Sequence, residues 1–230
     1  MVEKLIHIFK AFLDVLFPSK CVGCGAKNEI FCQNCLELLP YPENYPWNTP
    51  NTPNTRGRSS GLIFAATSYK DESVKKAIRM FKYHGIKILA KPLAELILKR
   101  TKNDLSKLIK NPDIAALIPI PLSKKRLRQR GYNQSELLGQ FLSDKLSIKM
   151  ETNVLYKIKE TISQVEIKDR EKRLKNLQGA FKVKNPELIK NKIVILVDDI
   201  STTGATLNEA KQVLMQAGAK KVIGLVVAKG

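Results

Sequence analysis

Two adjacent carboxylates, Asp198 and Asp199, follow a run of aliphatic residues at 193–197 of this 230-residue chain. Such an uninterrupted apolar run is what a strand buried on both faces requires. At the end of a buried strand, two acids repel each other and lose hydration unless hydroxyls, a metal or cations meet them. The pair therefore predicts a functional site at this strand end.

A segment rich in small and hydroxyl side chains follows the acids and opens a helix. Its candidate ligand-binding residues are Thr202, Thr203, Gly204, Ala205 and Thr206. A helix N-terminus with free backbone N–H groups, threonine hydroxyls and a glycine that permits close approach can hold a phosphate dianion. Because carboxylates accept hydrogen bonds from vicinal hydroxyls, the two features together predict a ribose 5-phosphate site. The structural alternative is a simple helix cap, which needs one Asp or Thr and not the whole series.

The sequence lacks the motifs of other nucleotide-binding classes. It contains neither the Walker A pattern of nucleoside triphosphatases nor the G-x-G-x-x-G pattern of dinucleotide-binding folds. It also shows no nucleophile–base pair, and we assign no catalytic role to the two histidines, His7 and His84. Covalent catalysis by the protein is therefore not predicted.

All four cysteines lie in one short segment as two C-x2-C pairs, formed by Cys21, Cys24, Cys32 and Cys35. Each pair aims two thiolates at one point, and two pairs complete a tetrahedral zinc site that leaves no open position for chemistry. We therefore predict one structural Zn²⁺. A redox C-x-x-C motif and a pair of disulfides are the alternatives, and the lack of a secretory signal disfavours disulfides.

The chain is strongly basic, with 40 Lys+Arg against 21 Asp+Glu and a net charge of +19. This charge favours an anionic partner such as nucleic acid, a phosphorylated metabolite or an acidic protein. Lysines scattered over helices usually form a solvated surface, whereas arginine binds phosphate through paired hydrogen bonds. Arginines cluster at residues 126–130 and 170–173. These two segments are therefore candidates for phosphate contact.

Strand-like and helix-like segments alternate from residue 61 onward. Apolar runs at 62–69, 114–121, 193–197 and 222–228 predict strands, and segments with helical periodicity separate them, the last over about 205–217. The alternation predicts an α/β fold with a mostly parallel sheet flanked by helices. Ligands of such folds bind at the carboxyl ends of the strands.

We divide the chain into residues 1–55 and residues 61–230, the second part being the α/β fold. The first part contains an amphipathic helix at 5–17, the four-cysteine knuckle and a Pro-rich connector. The helix is too short and too charged to span a bilayer and lacks a signal-peptide cleavage site, so we expect a cytoplasmic protein with no membrane span. Its apolar face is expected to pack on the protein's own body, with membrane attachment as the alternative.

Several segments resemble a known family in the same order along the chain. Beyond the leading helix and the cysteine knuckle, they are VKKAIRMFKYHG (74–85), IPIPLSKKRLRQRGYNQSELL (118–138), SQVEIKDREKRLKNLQGAF (163–181) and VILVDDISTTGATL (194–207). The last is similar to the 5-phosphoribosyl 1-diphosphate signature of type I phosphoribosyltransferases, and the whole chain resembles the ComF family. The resemblance implies a type I phosphoribosyltransferase fold with a small N-terminal zinc-knuckle module.

The resemblance also implies residue roles. Asp198 and Asp199 would meet the ribose 2- and 3-hydroxyls, and residues 202–206 would hold the 5-phosphate. The pyrophosphate would face Ser123, Lys124, Arg126 and Arg130, and a mobile flap over the site would carry Gln164, Arg170 and Arg173. Mg²⁺ would be chelated by the diphosphate and the ribose hydroxyls. The implied reaction transfers ribosyl 5-phosphate to an unidentified nitrogen nucleophile with loss of pyrophosphate.

A non-catalytic alternative follows from the same resemblance, because the ComF family is associated with competence and DNA uptake. In that case the protein would bind a partner helicase, or single-stranded DNA through its basic surface. Stacking of bases needs grouped aromatic side chains, which make up only 7% of this chain and are scattered. A lysine-rich surface without them would bind nucleic acid non-specifically and weakly at physiological salt. The two interpretations are compatible, since a ligand site can regulate an assembly.

Overall fold

Six strands and six α-helices make up the parts of the chain that the computed structural model describes, which are residues 19–43, 63–109, 113–160 and 178–230. The strands are β1 (Ile63–Ser68), β2 (Ile114–Pro119), β3 (Leu155–Lys157), β4 (Phe181–Val183), β5 (Ile193–Ser201) and β6 (Lys221–Lys229). The helices are α1 (Gln33–Leu38), α2 (Glu72–Tyr83), α3 (Ala90–Ile109), α4 (Lys124–Arg130), α5 (Gln134–Leu146) and α6 (Ala205–Gln216).

Some predicted features lie outside the described residues. These are the N-terminal helix at 5–17, most of the Pro-rich connector, and the three flap residues Gln164, Arg170 and Arg173.

The central sheet has the strand order β1–β6–β5–β2, and all three neighbouring pairs are parallel. Strands β3 and β4 form a separate antiparallel pair. Alternate residues of the central strands point to opposite faces, so the sheet divides the protein into two apolar layers. Helices α2, α3 and α5 pack on one face and α6 on the other, together with the β3–β4 hairpin. The predicted α/β fold with a parallel sheet flanked by helices is confirmed.

Strand β5 is longer than the aliphatic run that predicted it. Its ladder with β6 continues through Asp198, which pairs with Val226, and ends at Ser201, which pairs with Lys229. The acids are therefore held by backbone pairing on a central strand and do not lie in a loop after it. This pairing fixes the backbone of the strand on both sides of Asp199, a residue that is only 4% exposed.

The cysteine knuckle packs against the same apolar layer as α2 and α3. Its buried residues include Phe31 and Leu36, which belong to the cluster that also contains Phe81 and Leu93. Arg100 on α3 donates from Nη2 to the carbonyl oxygens of residues 36, 37 and 39, at 3.4, 2.9 and 2.9 Å. These bonds satisfy carbonyl groups at the end of α1 that have no partner within the helix. The knuckle is thus attached to the sheet layer by both apolar and polar contacts.

Within residues 19–43, 63–109, 113–160 and 178–230, no helix combines the length and the apolar character that a bilayer crossing requires.

Candidate functional site

The ends of β2 and β5 bring the two predicted ligand-binding loops side by side. The strands are direct neighbours, with Pro119 opposite Val197, and the ladder is extended by a 2.9 Å bond from the backbone N–H of Ile120 to the Val197 carbonyl. The acid pair therefore lies next to the segment that leads from β2 into α4. This is the carboxyl edge of a parallel sheet, where the fold class predicts ligand binding.

The two acids of the site have different partners. One oxygen of Asp198, Oδ1, accepts hydrogen bonds from the Ser135 hydroxyl at 3.0 Å and from the backbone N–H of Asp199 at 2.9 Å. Asp199 instead forms an ion pair with Lys82, whose Nζ lies 2.8 Å from Oδ1. A hydroxyl and a cation therefore meet the pair, as the sequence argument required.

Burial and charge set the ionisation of this group. Loss of hydration, reinforced by the adjacent charge of Asp199, raises the pKa of Asp198 to about 7, although Lys82 and Ser135 act in the opposite direction. Burial by itself disfavours the Lys82 ammonium, but the charges of Asp199 and Asp198 outweigh it and raise the pKa of Lys82. Lys82 is therefore protonated at neutral pH, whereas Asp198 can gain or lose a proton there.

Lys82 and Ser135 were not identified from the sequence. Each precedes its acid partner by more than 60 residues in the chain. Lys82 lies at the end of α2, and Ser135 lies in the first turn of α5. A lysine on an amphipathic helix has the pattern of a solvated residue, and a serine beside a helix cap has the pattern of a turn. Both lie inside segments that carry the family resemblance, 74–85 and 118–138, and that was the only signal available for them.

The predicted phosphate loop connects β5 to α6. Gly204 is the N-cap of α6 with φ of +77°, a left-handed conformation that glycine adopts without strain. As a glycine it offers no side chain to cap the helix, although the Thr203 hydroxyl accepts a 3.4 Å bond from the backbone N–H of Ala205. Thr202, Thr203 and Thr206 are each half-buried around this turn. The loop thus has the form that was predicted, a helix N-terminus surrounded by hydroxyl groups.

The segment after β2 contains the four residues predicted to face a pyrophosphate. Ser123 is buried and is the N-cap of α4, its hydroxyl accepting from the backbone N–H of Arg126 at 3.4 Å. Lys124 is exposed, whereas Arg126 and Arg130 are half-buried. Arg130 donates to Gln134 at 2.8 Å, and its guanidinium lies 5.0 Å from the ring centroid of Tyr83. Ser123 therefore positions the helix, and Lys124, Arg126 and Arg130 are the cationic groups that an anion could reach.

The β3–β4 hairpin adds a lysine to this basic region. Burial, together with the nearby charge of Arg126, lowers the pKa of Lys157 to about 8, and Asp198 acts on it in the opposite direction. Beyond β3, Glu160 accepts a 3.2 Å bond from the backbone N–H of Lys125 at the start of α4. Residues 161–177, which contain the predicted flap, connect the two hairpin strands. Glu160, the last described residue before that segment, is therefore attached to the first turn of α4.

The four cysteine sulfurs converge on one point. All four Sγ atoms lie within 4.8 Å of one another, with Cys21 and Cys24 at 3.5 and 3.7 Å from Cys32. Tetrahedral zinc–sulfur bonds of about 2.3 Å place neighbouring sulfurs about 3.8 Å apart, so the spacing fits one such ion. None of the four cysteines forms a disulfide.

The ionisation of the cluster also favours a cation. Although burial opposes ionisation, backbone N–H groups of the two C-x2-C turns lower the pKa of Cys21 to about 6. Burial and the neighbouring sulfurs raise the pKa of Cys35 to about 12. Four adjacent sulfurs cannot all be thiolates unless a positive charge lies among them. The residues present therefore form a site that could hold a metal ion.

Comparison with known proteins matches the C-terminal part of the chain to a described family. Residues 133–230 match the family described as "Phosphoribosyl transferase domain". The matched region begins at the cap of α5 and contains Ser135, the acid pair and the phosphate loop. It therefore includes the strand end around which the candidate site is built.

Individual relatives extend the match to most of the chain. "Competence protein F" of Haemophilus influenzae is 30% identical over 210 residues, which are 88% of this chain and 81% of that protein. "DNA utilization protein YhgH" of Salmonella typhimurium is 27% identical over 89% of this chain and 81% of its own length. "Competence protein ComFC" of Streptococcus pneumoniae is 33% identical over 70% of this chain and 66% of that protein.

Proposed function

This chain belongs to the ComF family within the phosphoribosyltransferase superfamily, and we propose that it binds 5-phosphoribosyl 1-diphosphate with Mg²⁺ at the carboxyl ends of β2 and β5. The proposal assigns the ribose hydroxyls to Asp198 and Asp199 and the 5-phosphate to residues 202–206. It assigns the diphosphate to Lys124, Arg126 and Arg130, with Ser123 positioning their helix. Gln164, Arg170 and Arg173 would close over the ligand.

One juxtaposition carries this proposal: an acid pair, a helix N-terminus and a cationic helix meet at a single edge of the sheet. Vicinal hydroxyls need acceptors, a phosphate monoester needs N–H donors, and a diphosphate needs cations. Strand β5 carries the acid pair and leads into the N-terminus of α6, and its neighbour β2 leads into the cationic helix α4. A sugar carrying both kinds of phosphate group matches all three.

The reaction that fits this ligand is transfer of ribosyl 5-phosphate. The bond between the anomeric carbon and the diphosphate oxygen breaks, pyrophosphate leaves with the electron pair, and a nitrogen nucleophile bonds to the carbon and releases a proton. Bound Mg²⁺ would offset the charge of the leaving group. The half-buried arginines, Arg126 and Arg130, would stabilise that charge further, since cations fixed in a site of low polarity act strongly. Residues that activate the nucleophile are not part of the proposal.

We also propose that the four cysteines hold one structural Zn²⁺. The convergence of their sulfurs and the lack of an open coordination position support a structural role over a catalytic one. Freshly purified protein should contain close to one equivalent of zinc. Less than about half an equivalent would contradict this assignment.

Calorimetric titration of 5-phosphoribosyl 1-diphosphate with Mg²⁺ tests the proposed site. We expect saturable binding to the zinc-loaded protein and loss of at least about tenfold in affinity in the Asp198→Asn/Asp199→Asn variant. The Asp144→Asn variant, which changes an exposed carboxylate on α5, is the matched control and should bind as the unsubstituted protein does. Failure of the folded, zinc-loaded protein to bind would overturn the proposal.

A second candidate function is binding of single-stranded DNA, alone or with a helicase. Two observations favour it. The net charge is +19, and the names of the related proteins refer to competence and DNA utilization. The two functions are separable by experiment. A salt-sensitive shift of single-stranded DNA that Asp198→Asn leaves unchanged would locate a DNA-binding surface apart from the acid pair.

A further inference from the structure

The ion pair between Lys82 and Asp199 has no role in the proposed function as described so far. Nζ of Lys82 lies 2.8 Å from Oδ1 of Asp199, and the two side chains are 20% and 5% exposed. Exposed ion pairs contribute little because water screens them and because both side chains lose mobility. Here the side chains are largely removed from water, so separating the two charges would leave an uncompensated carboxylate in the site.

The backbone next to Lys82 is fixed by contacts with Tyr132 and Gln134. The carbonyl of Phe81 accepts hydrogen bonds from the Tyr132 hydroxyl and from Nε2 of Gln134, the latter at 3.4 Å. The Phe81 and Tyr132 rings also pack with centroids 6.0 Å apart. The C-terminal end of α2 is therefore attached to the segment between α4 and α5. This attachment holds the lysine where its amine reaches the acid pair.

An ammonium in this position competes with a divalent cation for the same carboxylate. Two adjacent carboxylates are a natural ligand set for Mg²⁺, which prefers oxygen atoms and often combines one or two carboxylates with substrate phosphates. Lys82 is part of the chain, so its effective concentration at Asp199 does not depend on the concentration of ions in solution. A free cation would first have to displace the Lys82 ammonium from Asp199. This displacement leaves the charge of the carboxylate uncompensated until the cation binds.

We propose that Lys82 is a positioning residue whose ammonium is the resident counter-ion of Asp199 and keeps free divalent cations off the acid pair. Mg²⁺ then enters the site only as a complex with the diphosphate ligand. This last consequence rests on the proposed function, whereas the role of the ammonium does not. Lys82 acts through Asp199, which it orients and neutralises.

Binding of Mn²⁺, measured by electron paramagnetic resonance in the absence of any sugar phosphate, tests the role of Lys82. The Lys82→Met variant should bind Mn²⁺ at least about tenfold more tightly than the unsubstituted protein, because the acid pair loses its internal cation. The Lys82→Arg variant keeps the charge and should bind no more tightly than the unsubstituted protein. The matched control is Lys76→Met, which removes an exposed lysine from the same helix and should change nothing. In the double variant Lys82→Met/Asp199→Asn the gained affinity should disappear.

Two outcomes would overturn the proposal. One is a folded Lys82→Met protein that binds Mn²⁺ no more tightly than Lys76→Met. The other is a gain that persists when Asp199 is also replaced. Should Lys82→Met fail to fold, the NMR signal of the Lys82 ammonium can be compared between the unsubstituted protein and Asp199→Asn, both labelled with ¹⁵N-lysine. The signal must shift in Asp199→Asn, and an unchanged signal would show that the two groups do not interact.

The outcome is independent of the proposed ligand. If the protein failed to bind 5-phosphoribosyl 1-diphosphate, the proposed function would fail while the Mn²⁺ result stood. If Lys82→Met gained no Mn²⁺ site, the role of Lys82 would fail while the calorimetric result stood. The two failures are therefore distinguishable.

Discussion

Asp198 and Asp199 are neighbours in sequence, yet their surroundings make them chemically different residues. Asp199 faces an ammonium, whereas Asp198 accepts neutral hydrogen bonds from a hydroxyl and a backbone N–H. Asp198 is placed to change its charge near neutral pH, because burial raises its pKa to about 7.

A stability prediction follows from this raised pKa. The folded protein binds the Asp198 proton more tightly than the unfolded chain, so the stability linked to that proton is present below about pH 4 and is lost as the pH rises through about 7. Asparagine carries no charge to bury and can still accept the Ser135 bond. At pH 8, Asp198→Asn should therefore raise the free energy of unfolding by about 1 to 4 kcal/mol.

Urea unfolding at pH 8 and at pH 4 measures this effect as the difference between the variant and the unsubstituted protein at each pH, because low pH weakens zinc binding equally in both proteins. The gain should shrink toward zero at the lower pH, where Asp198 is already neutral in the folded protein. Asp144→Asn on the exposed surface of α5 serves as the control and should change stability little at either pH. A variant at position 198 that is destabilised at pH 8 would show that the acid is not buried as described.

Among the structural elements, the cysteine knuckle depends on a close approach of two chain segments. A Cβ atom added to Gly23 would lie 2.7 Å from the Sγ of Cys35 and 3.1 Å from its Cβ. A real Cβ atom does not approach a sulfur this closely, so the two C-x2-C turns would have to separate. Gly25, with φ of +78°, has no atom within 4 Å of such a Cβ and needs only its left-handed backbone. The two glycines therefore serve different purposes.

We predict that Gly23→Ala weakens zinc binding by at least about tenfold, because it displaces one of four ligands of a site that needs all of them. Competition with a chromophoric chelator gives the affinity directly. Gly25→Asn is the matched control, since asparagine tolerates a positive φ and the space around that position is open. Equal zinc affinity in Gly23→Ala and Gly25→Asn would contradict the proposed cluster.

The helices and strands were largely predictable, and the contacts between distant elements were not. The aliphatic run at 193–197 and the apolar spacing of Val74, Ile78 and Phe81 are local patterns, and β5 and α2 contain them. The acid pair and the loop at 202–206 could be picked out as candidates because their residues are contiguous in sequence. Lys82 and Ser135 were missed because they reach Asp199 and Asp198 only after α2 and α5 pack on the same sheet face.

Across the molecule, the knuckle and the sheet share one apolar layer. Arg100 links α3 to the carbonyl groups at the end of α1, and the carbonyl of Pro40 accepts from Thr67 at 2.8 Å and from the backbone of Ser68 at 3.2 Å. The Arg100 bonds connect the knuckle to α3, and the Pro40 bonds connect the residues just after the knuckle to β1, an edge strand of the sheet. Loss of a metal ion bound at the cysteines should therefore lower the stability of the sheet as well as that of the knuckle.

We predict that zinc chelation lowers the temperature of the main unfolding transition. Bound zinc would provide most of the folding free energy of so small a module, and the module covers apolar residues of the sheet layer. Differential scanning calorimetry with and without a chelator measures this shift. A main transition that stays in place while a separate, weaker one disappears would show that the knuckle folds independently of the sheet.

The central claim is the position of the ligand, and a crystal structure of the protein with bound 5-phosphoribosyl 1-diphosphate and Mg²⁺ tests it most directly. We predict the 5-phosphate at the backbone of residues 202–206, the ribose hydroxyls at Asp198 and Asp199, and the diphosphate facing Arg126 and Arg130. A ligand bound away from the β5 end, or this strand end left without ligand under conditions where calorimetry shows saturation, would contradict the account.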